Sequence, residues 1–168
     1  QIGRLSDHKP NVRILKPDTI ATHTSTLAVN IFEDQRTPGL LWFCGNGLFS
    51  YNKINQEWKS YSTQHSGIPY QESNYYTNGV ALKDGRLVLS SWGTGVTVFN
   101  PSTNQWNRYL PEGIQNVPGT HNIIYWLVQR DESTAWVNTS IGFGFIDINT
   151  GVYHIIDDRT SEKYNIPK

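Results

Sequence analysis

The side chains best suited to proton transfer or metal ligation are five histidines, His8, His23, His65, His121 and His154, and one cysteine, Cys44. No two histidines stand at the i, i+4 spacing that aims a pair of imidazoles at one metal, and none pairs with a glutamate in that pattern. A lone cysteine forms no internal disulfide and no cysteine-rich metal site. Asp34, Asp84 and Asp131 recur at even spacing, as turn residues do. General acid–base work instead needs two carboxylates held in different environments. A Gly-x-Ser-x-Gly nucleophile turn and a phosphate-cradling glycine loop are both missing. The sequence reads as a non-enzyme with no cofactor and no metal. Asn138-Thr139-Ser140 fits a glycosylation sequon, a common tripeptide, and Asp157-Asp158-Arg159 reads as a solvated loop.

Recognition is the chemistry that remains. Tyr75, Trp92 and Trp126 offer ring faces, and Asn46, Asn74, His121 and Asn122 offer donors and acceptors. Stacking of C–H groups on a ring, plus a few orienting hydrogen bonds, is what a sugar requires. The competing role for these residues is structural: Trp92 packed on a neighbouring element and the asparagines capping turns.

Composition says what kind of elements must hold them. The chain has 168 residues, with Lys+Arg and Asp+Glu at 14 each and a formal net charge of zero. That argues against a general nucleic-acid binder, which needs cations to neutralise phosphates. No run approaches the roughly 20 apolar residues that span a bilayer. Aromatics make up 12 %, too many for a disordered segment. Alanine, the best helix former, occurs four times and methionine not at all, while asparagine and threonine occur 15 times each. Such a chain is all-β with many turns. Gln1 in place of an initiating methionine suggests a processed chain or an excised piece.

An internal repeat organises the sequence. Asp34, Asp84 and Asp131 are 50 and 47 apart; Gly47, Gly95 and Gly144 are 48 and 49 apart. Asn52, Asn100 and Asn149 keep 48 and 49, and Trp58, Trp106 and Tyr153 keep 48 and 47. Each unit reads as four short strands, A to D. Strand A ends at the aspartate, and Asp84-Gly85 is a strong hairpin signal. Strand B is Leu41–Cys44, Leu87–Ser90 or Ala135–Asn138; a glycine turn leads to strand C, and an asparagine turn to strand D. Repeated four-stranded units of this length are β-propeller blades. The units span about 24–70, 71–118 and 119–160, with residues 11–20 suiting a strand of a preceding blade. Three blades close no ring. The expected form is therefore an arc of a larger propeller, or one completed by another copy of the chain.

Residues 41–52, Leu-Trp-Phe-Cys-Gly-Asn-Gly-Leu-Phe-Ser-Tyr-Asn, resemble the Leu-Trp-Ile-Gly-Thr…Gly-Gly-Leu…Tyr-Asp core of two-component regulator propeller repeats. Residues 87–100 fit the longer form of that core, and residues 135–149 fit it more loosely. Ser66-Gly-Ile-Pro69 and Glu112-Gly-Ile114 resemble the family's Gly-Leu-Pro before a new strand A. Val88 stands where the family has tryptophan, and Cys44 and Asn138 where it has a small glycine. The resemblance implies a periplasmic or extracellular sensing propeller of a bacterial hybrid histidine kinase, responding to glycan fragments, with any kinase and membrane segment outside this chain. The second reading is a free-standing secreted propeller, either lectin-like or a protein-interaction scaffold.

Strand alternation puts the A–B and C–D turns at one end of the units and the B–C turns and D–A connections at the other. The second end therefore gathers Asn46, Trp92 and Ser140 with Asn74, Tyr75, His121 and Asn122, around an oligosaccharide or other small ligand. Trp126, in strand A where Val29 and Gly79 are taken as its counterparts, either faces the channel or fills the space beside that glycine. Trp42, Trp58, Trp106, Trp136 and Tyr153 recur with the repeat and read as packing between blades. The remaining partners are neighbouring blades or a second copy of the chain. Nucleic acid is not among them.

Overall fold

The structure is a computed structural model that describes residues 28–62, 74–110 and 123–156. Each of these three segments forms one four-stranded antiparallel meander. The first holds β1 (Ala28–Glu33), β2 (Leu40–Gly45), β3 (Gly47–Asn52) and β4 (Trp58–Tyr61). The second holds β5 (Tyr76–Ala81), β6 (Leu87–Ser91), β7 (Val96–Asn100) and β8 (Gln105–Tyr109). The third holds β9 (Ile124–Gln129), β10 (Thr134–Thr139), β11 (Gly142–Asp147) and β12 (Tyr153–Ile155). No helix occurs among the described residues. The expected strand at 11–20, the D–A connections and the C-terminal residues lie outside the described residues.

The turns show why these residues recur. The Asp34 carboxylate accepts the backbone N–H groups of Arg36 and Thr37 at 2.9 and 2.8 Å, and Asp131 accepts those of Ser133 and Thr134 at 2.8 and 2.7 Å. Asn52 accepts from Ile54 N–H at 2.8 Å and Asn100 from Ser102 N–H at 3.0 Å. In the third sheet that role falls to Asp147, which accepts from Asn149 and Thr150 N–H, both at 2.9 Å. Asn149 is thus not the counterpart of Asn52 and Asn100. Gly144 is likewise not the turn glycine: it sits inside β11, and the positive-φ counterpart of Gly47 and Gly95 is Gly142. Both corrections give spacings of 48 and 47, because the third unit is one residue shorter.

The first strand of every sheet carries a bulge at the same place. Register shifts between Ala28 and Asn30, between Tyr76 and Asn78, and between Ile124 and Trp126 leave Val29, Thr77 and Tyr125 as the extra residues. Their spacing is 48 and 48. The register also corrects the alignment around Trp126, which the uneven 50 and 47 spacing of the turn aspartates displaces. Trp126 faces Asn138 in the register, as Asn30 faces Cys44 and Asn78 faces Ser90. Its counterparts are therefore Asn30 and Asn78, not Val29 and Gly79. The space beside Gly79 is filled by Phe32, whose Cε1 lies 2.5 Å from where a Cβ would stand.

The sheets stack face to face, with β1, β5 and β9 side by side. Trp42, Cys44 and Leu48 of the first sheet meet Leu87, Leu89 and Phe99 of the second. The opposite face of the second, with Val88, Val96 and Val98, meets Leu127, Val137 and Ile146 of the third. Gln35 ties the arc at its inner edge, donating from Nε2 to Ala81 O at 2.6 Å and to Gln129 Oε1 at 3.1 Å. The repeated aromatics divide accordingly. Trp42, Trp106 and Tyr153 belong to these junctions. Trp58 and Trp136 do not: they lie on the outward faces of the first and third sheets, beside Phe43 and Tyr51 and beside Phe143 and Phe145 respectively.

Candidate functional site

The end where each second strand turns into the third is also where each first strand begins. Asn46 forms an isolated antiparallel bridge with Tyr75, and Trp92 with Ile123, so each turn is bridged to the entry of the next sheet. The Gly47 N–H donates to Asn74 O at 2.7 Å, Trp92 N–H to Tyr75 O at 3.4 Å and Ser140 N–H to Ile123 O at 3.1 Å. Asn46, Asn74, Tyr75 and Trp92 are thus brought together by backbone pairing, as the meander predicts. His121 and Asn122 lie outside the described residues.

The side chains are less uniform than the backbone. Asn74 is 3 % exposed, so its amide is turned into the protein. Asn46 is exposed and Tyr75 half-buried. Trp92 is 53 % exposed, and its turn is braced from beneath. The Thr94 N–H and hydroxyl donate to Ser91 Oγ at 3.0 and 2.5 Å, and the Ser91 hydroxyl donates to Gly95 O at 2.9 Å. Gly95, at φ +76°, abuts Tyr109 O so closely that a Cβ there would collide with it. A fixed turn therefore holds a large ring out in solvent.

A second ring stands against it. Tyr125 is 46 % exposed, and its ring lies edge-on to Trp92, with centroids 6.0 Å apart and planes at 87°. Bulges re-aim side chains, and this one turns Tyr125 toward the Trp92 turn. Sequence reasoning missed Tyr125 because the bulge residues Val29, Thr77 and Tyr125 share no residue type that would mark a bulge. The signal was the 48-residue spacing from Thr77. Trp126, its neighbour, does not join the pair. It is 57 % exposed on the outward face of the third sheet, in register with Asn138, and does not fill the space beside Gly79, which Phe32 and Leu89 occupy.

Charge is segregated along the sheets. The A–B turns carry Glu33, Asp34 and Arg36, then Lys83, Asp84 and Arg86, then Arg130, Asp131 and Glu132. The C–D turns carry Lys53, Glu57 and Asp147. Among the described residues only Lys59 and Arg108, both on fourth strands, complete the set of Asp, Glu, Lys and Arg. Those turn carboxylates serve structure. The Thr134 hydroxyl, with backbone N–H groups, holds Asp131 below the usual carboxylate range, and the Thr150 N–H does the same for Asp147. Burial pushes the Cys44 thiol up to about 12, a backbone hydrogen bond with Asn30 opposing it in part. Cys44 is therefore an inert core residue. Among the described residues no group of three or more His, Cys, Asp or Glu side chains is placed to hold a metal.

No protein-family profile and no curated protein matches the sequence. Solved structures do. The extracellular domain of a protein described as a hybrid two-component system of B. thetaiotaomicron superposes with a TM-score of 0.60 at 12 % identity, covering 84 % of this chain and 20 % of that one. A second extracellular domain of such a system from the same organism gives a TM-score of 0.54 at 18 % identity, covering 79 % of this chain and 19 % of that one. The chain therefore shares the fold of these domains and spans about a fifth of their length.

Proposed function

We propose that the chain is part of the extracytoplasmic ligand-sensing propeller of a bacterial two-component receptor, and that the receptor responds to glycan fragments. The observation that carries this reading is the shared fold with extracellular domains of two hybrid two-component systems. The site supports the ligand class. Two solvent-exposed rings on a braced turn and a bulge, with Asn46 and Tyr75 nearby, supply ring faces and orienting polar groups, the requirements of a sugar. The turn carboxylates are engaged by backbone amides at the other end of the sheets, which fits a binding role without catalysis. The outward faces of the first and third sheets receive further blades, from the same polypeptide or from a second copy.

A genetic experiment tests the sensing role. Deleting the segment that encodes this chain in its host should abolish the transcriptional response to one polysaccharide and leave the others intact. Unchanged responses to every polysaccharide the host degrades overturn the reading.

A further inference from the structure

Within one repeat protein, each blade is a control for the others. Residues that the architecture requires return in every unit, as the turn aspartates and glycines do. At the junction of the first and second sheets, the turn residue and the bulge residue are Asn46 and Thr77. At the next junction they are Trp92 and Tyr125. Both members change together, both become aromatic, and both aromatic side chains are about half exposed. Burial explains neither change, because the rings contact each other while remaining open to solvent.

The second observation is charge. Every described Asp, Glu, Lys and Arg lies at the opposite end of the sheets except Lys59 and Arg108 on fourth strands. Arg108, near the Trp92 end, pairs with Thr97 on the face toward the first sheet, away from Tyr125. Recognition of a carboxylate or sulfate relies on charge-assisted hydrogen bonds from lysine or arginine.

We infer that Trp92 and Tyr125 form a corner that takes a neutral sugar ring, its C–H face stacked on one ring and a hydroxyl within reach of the other, and that the site discriminates against acidic glycans. This rests on the glycan-sensing reading above. Calorimetry of the full chain with maltohexaose, cellohexaose and xylohexaose, beside oligogalacturonate and chondroitin oligosaccharides, tests it. One neutral oligosaccharide should bind, with an affinity unchanged between about 0.05 and 0.5 M salt, since among the described residues no charged side chain lies beside Trp92 and Tyr125 to be screened. Trp92→Ala and Tyr125→Ala should each weaken it by about tenfold or more. Both positions are exposed, so melting temperatures should hold. Tyr125→Phe separates the ring from its hydroxyl. Preferential, salt-sensitive binding of an acidic oligosaccharide overturns this inference and leaves glycan sensing standing. Neutral binding that survives both alanine variants also overturns it. Binding of none of the five removes this inference, while sensing is then decided by the genetic test.

Discussion

The repeat ranks Trp42 and Trp106 alike as junction residues, yet the structure predicts that replacing each by phenylalanine has unlike results. The Trp42 ring is 1 % exposed, packs on Tyr61 at 5.3 Å between centroids, and donates from Nε1 to the Asp34 carboxylate at 2.9 Å. Phenylalanine keeps over half of that ring. The lost transfer and cavity terms come to about 1–2 kcal/mol, a fraction of the ~3–5 kcal/mol of full truncation. Losing the bond to a half-buried carboxylate adds about 1 kcal/mol. Trp42→Phe should therefore cost about 2–3 kcal/mol. Trp106 is half-buried and stacks on Phe99 at 3.9 Å, but its buried Nε1 has no hydrogen-bond partner among the described residues. Trp106→Phe keeps the stack, loses about 1 kcal/mol of burial, and removes an unsatisfied donor that itself costs ~1–3 kcal/mol. The balance runs from about zero to about 2 kcal/mol in favour of the variant. Urea unfolding followed by far-UV circular dichroism measures both. If Trp106→Phe destabilises as much as Trp42→Phe, the assignment of hydrogen bonds in this junction is wrong.

Gly79→Ala would push a Cβ against Phe32 and Leu89, so it should cost about 1–3 kcal/mol by overpacking and lower the melting temperature in calorimetry. Gly95→Ala combines a positive φ with a collision against Tyr109 O; it should loosen the Trp92 turn, seen as faster amide exchange at residues 91–96. Cys44 should resist iodoacetamide at pH 8 in the native protein and react promptly in urea. Because the folded thiol keeps its proton up to about pH 12 whereas the unfolded one loses it near 9, stability should fall as pH rises through that window. The buried Tyr153 hydroxyl is raised in the same direction. A Cys44→Ala variant that declines as steeply as the wild type over pH 9–12 would refute the thiol's share. Self-association of the full chain should be visible by light scattering, since the outward faces expose Ile31, Val128 and Phe143; a stable monomer would show that these faces need no partner.

Strand identity was legible because alternation and turn chemistry are local. Trp42 and Cys44 alternate with Leu41 and Phe43, and an aspartate or asparagine side chain can cap only the amides two or three residues on. What was not legible were the single-residue shifts. The turn aspartates Asp34, Asp84 and Asp131 stand 4, 6 and 5 residues after Asn30, Asn78 and Trp126, so counting back from them misplaced the counterparts of Trp126 by one residue in opposite directions. Spacing alone also preferred Gly144 and Asn149, which sit two residues past the positions that hold the turns. Asp147 replaces an asparagine with the same acceptor geometry, and identity-based alignment passes over such an exchange. The candidate site suffered most. Tyr125 owes its position entirely to the bulge, and Asn74 has the right backbone place with its side chain turned inward.

Exposure by itself would rank Trp126 above Trp92 as a ligand residue, at 57 % against 53 %. The repeat reverses that order. The counterparts of Trp126 are Asn30 and Asn78, which face the next sheet, and Asn78 is only 4 % exposed because the third sheet covers it. A further sheet stacked on the third in the same way would bury Trp126 together with Trp136, Phe143 and Phe145. The turn positions corresponding to Trp92 behave differently. Asn46 is exposed although the second sheet already covers the face beside it, and Ser140 is exposed as well. Turns and bulges at the sheet ends stay accessible when faces are covered. Trp92 and Tyr125 would therefore remain open in a completed ring, and Trp126 would become part of its core.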